Sequence, residues 1–210
     1  MLACEVSGGT FGTPNAWTAI SIAVAPLDES LASEMVDRIA TEPLDEKTRA
    51  LVLERTAGNP FFIEEVVRSL GARGAGAVPA SVQELFEAKL DALDESPKRT
   101  AQWAAVIGRT FWTRVLGRLV GDGPVRPALA TLESERFVAP YELTPEEKYA
   151  FRHALVQEVV YSTQLLARRR VAHGAVGGAI VELFTERLDE FTDILAYHYG
   201  RSDDDANARR

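Results

Sequence analysis

Seven consecutive residues, Gly71-Ala72-Arg73-Gly74-Ala75-Gly76-Ala77, hold three glycines and three alanines and offer little that could anchor a core. A run of this kind behaves as a flexible connection, and it marks the strongest domain boundary in the 210-residue chain. Each side must therefore be read for apolar faces of its own.

Before the boundary, Leu31, Met35, Val36 and Ile39 fall on one helical face. Leu44, Leu51 and Val52 do the same in a second segment that stops at Gly58. Asn59 then caps a third helix with Pro60 at its first position, where a missing N–H costs nothing, and Phe62, Val66 and Leu70 recur at four-residue spacing up to Gly71. Further upstream, Ala19-Ile20-Ser21-Ile22-Ala23-Val24 alternates and is rich in β-branched residues, which predicts a short strand ending at Pro26. A lone strand needs a sheet, and no comparable strands follow before the helices begin. Residues 1–27 thus read as the remnant of a larger core, cut at its front, and 28–78 as a helical domain.

Beyond the boundary, Ser81 and Glu84 form a capping box for a helix carrying Val82, Leu85, Phe86 and Leu90. Ser96-Pro97 opens another that runs through Trp103, Val106 and Ile107 to Gly108. Phe111 to Val120 and Val125 to Ser134 read as two shorter helices around a Gly121-Asp122-Gly123-Pro124 break. The pattern then turns extended: Phe137-Val138-Ala139 and Tyr149-Ala150-Phe151 flank a polar turn with Thr144-Pro145-Glu146-Glu147. Helices followed by a two-stranded wing are winged-helix order, predicted over 79–164. Ala154 to Leu166, with Leu155, Val159 and Leu165 as a stripe, leads into a longer helix from about Arg168 to Glu190 and a final one opening at Phe191. Residues 165–210 read as the start of a helical, tetratricopeptide-like arm, unfinished because such arrays need about three repeats. The fold class expected is mainly α: a helical lid, a winged helix and the start of an α-helical repeat array.

Composition excludes several functions. A formal charge of −8, from 31 acidic against 23 basic residues, gives no general phosphate-neutralising surface, so nucleic acid is a disfavoured partner. A single cysteine, Cys4, rules out an intramolecular disulfide and a multi-cysteine metal site, and it reads as a free thiol in a reducing compartment. No apolar run approaches the roughly 20 residues that cross a bilayer, and no basic-then-apolar signal segment opens the chain, so a cytoplasmic location is expected. Gly8-Gly9-Thr10-Phe11-Gly12 is glycine-rich, yet no lysine follows it, and no Gly-x-x-x-x-Gly-Lys-Ser/Thr loop occurs anywhere. His153, His173 and His198 stand twenty or more residues apart, without zinc spacing or a nucleophile pair. No catalytic residue and no metal site is expected in this chain.

Four segments carry a family resemblance. Thr56-Ala57-Gly58-Asn59-Pro60-Phe61-Phe62-Ile63-Glu64-Glu65, with Pro26-Leu27 before it, resembles the lid of STAND-type ATPases, the signalling relatives of AAA+ proteins. Phe151-Arg152-His153-Ala154-Leu155-Val156-Gln157-Glu158-Val159-Val160-Tyr161 looks like the Phe-x-His-x-Leu-x-x-Glu-x-x-Tyr helix of the same family, whose members include proteins fused to class III adenylate/guanylate cyclases and tetratricopeptide arrays. Leu165-Leu166-Ala167-Arg168-Arg169-Arg170-Val171-Ala172-His173 is similar to the family's entry into the helical arm, with Ala172 in place of a leucine, and Val106 to Trp112 matches its winged-helix segment.

The resemblance implies a regulatory module that closes over ATP or ADP. Gly58, Asn59 and Pro60 would form the Gly-x-Pro turn beside the adenine, and His153 would touch the β-phosphate of ADP. The phosphate loop and the magnesium would come with a core that this sequence lacks. Physically, a helix starting at a Gly-Asn-Pro turn presents free N–H groups to an anion, and an imidazole donates to phosphate in either protonation state. Arg169, Arg170 and His173 read as interface or solvated residues. Protein partners would bind through the arm. Two alternatives stand beside this reading: a DNA-binding regulator using Val125 to Ser134 as recognition helix, with Arg126 and Arg136 opposed by Glu133, Glu135, Glu142, Glu146 and Glu147, and a fragment without independent function.

Overall fold

The computed structural model describes residues 25–73, 78–121, 125–142 and 146–202. Cys4, the glycines at 8–12 and the strand predicted at 19–24 lie outside them. The protein is mainly helical and divides into two units, the first through Ser81 and the second from Val82. No helix among the described residues is long and apolar enough to cross a membrane.

Among the described residues the first unit has three helices, and each starts where the sequence places a capping oxygen. Asp28 accepts from the Leu31 amide at 2.8 Å and opens α1, Glu29–Ile39. Asp45 accepts from the Thr48 amide at 3.0 Å and opens α2, Glu46–Thr56. Asn59 accepts from the Phe62 amide at 3.2 Å and opens α3, which runs from Pro60 to Arg73, two residues past the predicted stop at Gly71. A capping oxygen of this kind is worth about 1 kcal/mol. The buried faces are Ala32 and Val36 of α1, Val52 of α2, and Phe62, Ile63, Val66, Val67 and Leu70 of α3. Leu31 was expected on this face but is 49% exposed, because α1 turns Ala32 rather than its neighbour toward α3. Arg49 binds Asp37 through both terminal nitrogens, at 2.6 and 2.8 Å, and also meets Ser33, tying α2 to α1.

The second unit opens with α4, Val82–Asp91, and α5, Glu95–Ile107. Next comes a strand in place of the expected helix start: β1, Thr110–Trp112, leads into α6, Thr113–Val120. Then follow α7, Val125–Ser134, β2, Val138–Glu142, and β3, Lys148–Phe151. β3 is central and antiparallel to both neighbours, giving the sheet order β1-β3-β2. Helix, strand, two helices and a two-stranded wing is winged-helix order. Phe111 on β1 is fully buried and meets Phe151 of β3 edge-on at 5.8 Å, while Phe86 of α4 meets Phe137 edge-on at 5.4 Å. Burying one such ring contributes about 1.5–3 kcal/mol.

The wing leads into α8, Ala154–Ser162, which stops earlier than predicted. Gln164 is buried and donates to the Gln102 carbonyl at 3.1 Å, which pulls the chain out of helix at 163–165 and leaves Leu165 78% exposed instead of on an apolar stripe. The buried stripe is Val156, Val159 and Val160. α9 spans Leu166–Leu183 and does not continue to Glu190. A 3-10 helix, Thr185–Phe191, takes its place and buries Phe191 against Phe184, and α10, Thr192–Tyr199, packs back on α9. The residues from 165 onward pack on α5 and α6 within this unit.

Gly177 lies on the α9 face that meets α10: a Cβ there would stand 2.7 Å from the Tyr199 ring, whereas one at Gly178 would meet nothing within 4 Å. Gly177→Ala is therefore expected to destabilise the second unit by about 1–3 kcal/mol. Gly178→Ala should instead stabilise it by about 0.5–1 kcal/mol through helix propensity. Thermal unfolding of both variants followed by circular dichroism checks the opposite signs.

Candidate functional site

Two local environments hold the residues picked out in the sequence: Gly58, Asn59 and Pro60 in the first unit and His153 in the second.

The first is a turn clamped from behind. α2 ends with Ala57 at φ 46° and Gly58 at φ 72°, both left-handed, and the Thr56 carbonyl accepts from the Asn59 amide at 2.9 Å. This reversal lets the Gly58 carbonyl accept from the Leu27 amide at 2.8 Å. A Cβ on Gly58 would lie 2.2 Å from the Leu27 carbonyl oxygen, so the position demands glycine twice over, by φ and by contact. Gly58 is buried while Pro60 is exposed. A crevice of about 570 Å³ opens beside this clamp, with Leu27, Ala57 and Gly58 at one end and Ala32, Ala50 and Leu53 along its walls. Its polar lining is Glu29, Glu46 and Glu54 against Arg49 and Ser33.

That charge balance changes the sequence reading of the turn. Three carboxylates facing one guanidinium do not suit a phosphate, and the Asn59 side chain already takes the Phe62 amide that an anion would seek. The crevice suits a neutral, flat, hydrogen-bonding group held between apolar walls, with amino donors toward the carboxylates. Pro60 is not among its lining residues; Leu27 and the glutamates are, and sequence reasoning missed the latter because acidic residues on a helix face look like solvated surface.

His153 sits at the wing-to-helix junction. It is the N-cap of α8, and its Nδ1 accepts from the Leu155 amide at 3.2 Å. An imidazole that accepts at Nδ1 in its neutral form carries its proton on Nε2, where it can donate. Partial burial, and then the Arg109 cation, hold its pKa below the ordinary histidine range, with Glu158 opposing, so the neutral tautomer prevails at pH 7.

The other two histidines are brought together. His173 of α9 reads as an interface or solvated residue in the sequence but is 1% exposed, because α10 folds over it. Its Nδ1 lies 2.8 Å from Nδ1 of His198, and its Nε2 lies 2.8 Å from the Tyr161 hydroxyl of α8. Burial pushes both imidazoles down to about 4, helped at His173 by the Arg201 and Arg169 cations and at His198 by His173. Nε2 of His198 is buried without a partner of hydrogen-bond geometry, although an interaction with the Ile107 backbone works against the shift. Sequence spacing held no sign of this pair, since only the return of α10 creates it.

A family model described as a domain of unknown function, DUF8739, matches residues 28–79. The match spans α1 to α3 and the crevice residues they carry, and it begins one residue after Leu27. No curated protein matches the chain. α7, the helix that a DNA-reading winged helix would present, has Arg126 paired with Glu147 at 3.3 Å and Glu133 exposed at its end.

Gly58→Ala is expected to destabilise the first unit by at least about 2 kcal/mol, from strain at positive φ and the clash with Leu27. Hydrogen exchange of the α1 to α3 amides should speed up accordingly, while exchange in the second unit stays unchanged. For the buried pair, the folded pKa of about 4 lies below the unfolded value near 6.5, so the unfolded chain binds protons first. The stability of the neutral pair is complete above pH 6.5 and falls as pH drops through 6.5 toward 4, by about 2 kcal/mol per histidine at pH 5. Urea unfolding of the native chain and of His198→Gln across pH 7 to 5 checks this, the variant giving the shallower slope.

Proposed function

We propose that the chain acts as the nucleotide-responsive lid and winged helix of a STAND-type signalling ATPase, ADP or ATP being its ligand. The observation that carries this is the clamp: a Gly-Asn-Pro turn bound to Leu27 through Gly58, with the crevice opening at that contact. The first unit contributes a slot for the adenine. Its apolar walls take the flat base and its carboxylates accept from an exocyclic amine, which makes the base rather than the phosphates the group it reads. The resemblance gives the phosphate contact to His153 of the second unit, whose Nδ1 is committed to the α8 backbone and whose neutral ring carries its proton on Nε2. Arg109 adds positive potential near the imidazole.

No step of hydrolysis is assigned to these residues. The sequence holds no phosphate-binding loop, so the phosphate cradle and its magnesium belong to a catalytic core that this reading places elsewhere. The output is signalling through protein partners on the helical arm, in the cytoplasm, with a cyclase or transcriptional effector as the family resemblance implies. DNA stays a disfavoured partner, because the cation on α7 is already paired and its neighbours are acidic.

Adenosine and ADP titrated separately into the isotope-labelled chain at millimolar concentration test the two contributions. Both ligands should shift the amide signals of Leu27, Gly58 and Asn59. His153→Ala should weaken ADP about five- to tenfold, near 1–1.4 kcal/mol, and leave adenosine unchanged. Silence at Leu27, Gly58 and Asn59 would sink the adenine slot, and equal ADP affinity in the variant would remove His153 from the reading.

A further inference from the structure

We infer that the outer face of α9 is a docking surface for the same helix of a second copy of this chain, running antiparallel, so that the protein forms a two-fold dimer. The inference concerns the second unit alone and does not rest on the nucleotide reading.

The starting point is a helix that is apolar on both sides. The inner face of α9 buries Ala172, His173, Val176, Ala179 and Ile180, with α5, α6 and α10 as its neighbours. From Val171 to Val181 the sequence holds no charged residue, so the outer face is uncharged over the same three turns. A helix that is apolar all round belongs in an interior. Yet Val171 is 69% exposed, and Ala175 and Gly178 are exposed further along. A second helix laid on this face completes the burial.

The exposed residues recur at three- and four-residue spacing: Arg168, Val171, Ala175, Gly178 and Glu182. That is the spacing of a seam between two paired helices, about 21 Å long here. Reversed end to end, the seam is its own complement. A second α9 running antiparallel about Ala175 sets Arg168 opposite Glu182 of the second copy and Val171 opposite Gly178, and two-fold symmetry makes each of these contacts twice. Val171 is the protruding side chain, and Gly178 is the gap that receives it, since a Cβ there would meet nothing within 4 Å. Glycine inside a helix weakens it, and close approach of another backbone is the use that such a position has.

The charges choose the partner and its direction. Glu182 is already held by Arg118, whose Nε donates to its two oxygens at 3.1 and 3.0 Å, while the Glu182 side chain stays 55% exposed. A carboxylate accepts at about four positions, so Glu182 can receive Arg168 of the second copy without giving up Arg118. A parallel pairing would instead oppose arginine to arginine and glutamate to glutamate, and would set Val171 against Val171.

Analytical ultracentrifugation of the full chain from micromolar to millimolar concentration tests this. The weight-average mass is expected to rise from one chain toward two. Gly178→Glu fills the gap and should weaken the dimer at least tenfold; it should not impair folding, because the position is open and glutamate is the better helix former. Gly117→Glu, at an equally open glycine on α6, makes the same charge change elsewhere and should leave the dimer unaffected. Arg168→Glu and Glu182→Arg should each weaken it about tenfold alone. An equimolar mixture of those two should recover it, because only the mixed dimer opposes unlike charges at both contacts. A chain that stays monomeric at every concentration overturns the inference, and so does a dimer that Gly178→Glu leaves intact or that Gly117→Glu weakens equally. Folded charge variants whose mixture fails to recover overturn the antiparallel arrangement. Circular dichroism of each variant identifies loss of folding, and Gly178→Glu keeps the test decisive if a charge variant does not fold.

Discussion

One hydrogen bond, from the Leu27 amide to the Gly58 carbonyl, sets the geometry on which the first unit depends. Leu27 precedes the α1 cap by one residue and Gly58 precedes the α3 cap by one residue, so the bond brings two helix starts to the same place. α2 must then return the chain from the far end of α1 to that point, and Arg49 ties it to α1 on the way. The left-handed pair Ala57 and Gly58 makes the return possible, and the absence of a Cβ at Gly58 makes the close approach possible. A larger side chain would separate Leu27 from the turn and with it two walls of the crevice.

The second unit is organised around buried polar contacts as much as around its phenylalanines. Gln157 donates to the Ala105 carbonyl at 2.7 Å and Gln164 to the Gln102 carbonyl, so α8 and the break after it are attached to the backbone of α5. The break frees α9 to start in a new direction. His173 is thereby carried inward, where α10 brings His198 to meet it. Polar pairs of this kind contribute little net stability but penalise any packing that leaves them unmet, which favours one arrangement of the helices over its near competitors.

Much of this was legible in the sequence where a local signal coincided with the tertiary outcome. Asn59, read as a cap, has its short polar oxygen just ahead of an apolar period and caps α3, and Asp28 and Asp45, not singled out in the sequence, do the same for α1 and α2. The paired strands of the wing were legible for the same reason, since a turn-forming segment separated two extended runs. β1 was not: three residues cannot display a period of two, and Phe111 with Val115 and Leu116 matches a helical face equally well. Only pairing with β3 decides the matter. Leu165 shows the converse failure, an apolar residue in helical register that the buried Gln164 forces outward. The crevice glutamates and the histidine pair were beyond reach because both arise from helices meeting, which no spacing along one helix encodes.

The histidines show how partners at Nδ1, rather than position in the sequence, decide what the ring can do. At His153 the Leu155 amide occupies Nδ1 from outside the ring system, which leaves the neutral imidazole a single tautomer with its proton at Nε2. At His173 the partner on Nδ1 is another imidazole and that on Nε2 is a hydroxyl, each able to donate or accept. The ring is therefore committed at both nitrogens yet free to pass its proton pattern from one side to the other. Burial first, and cations after it, lower the affinity of both for a further proton, the cations being Arg109 in one case and Arg201 with Arg169 in the other. One histidine is thus held in a single tautomer, and the other can carry its hydrogen bonds in either direction.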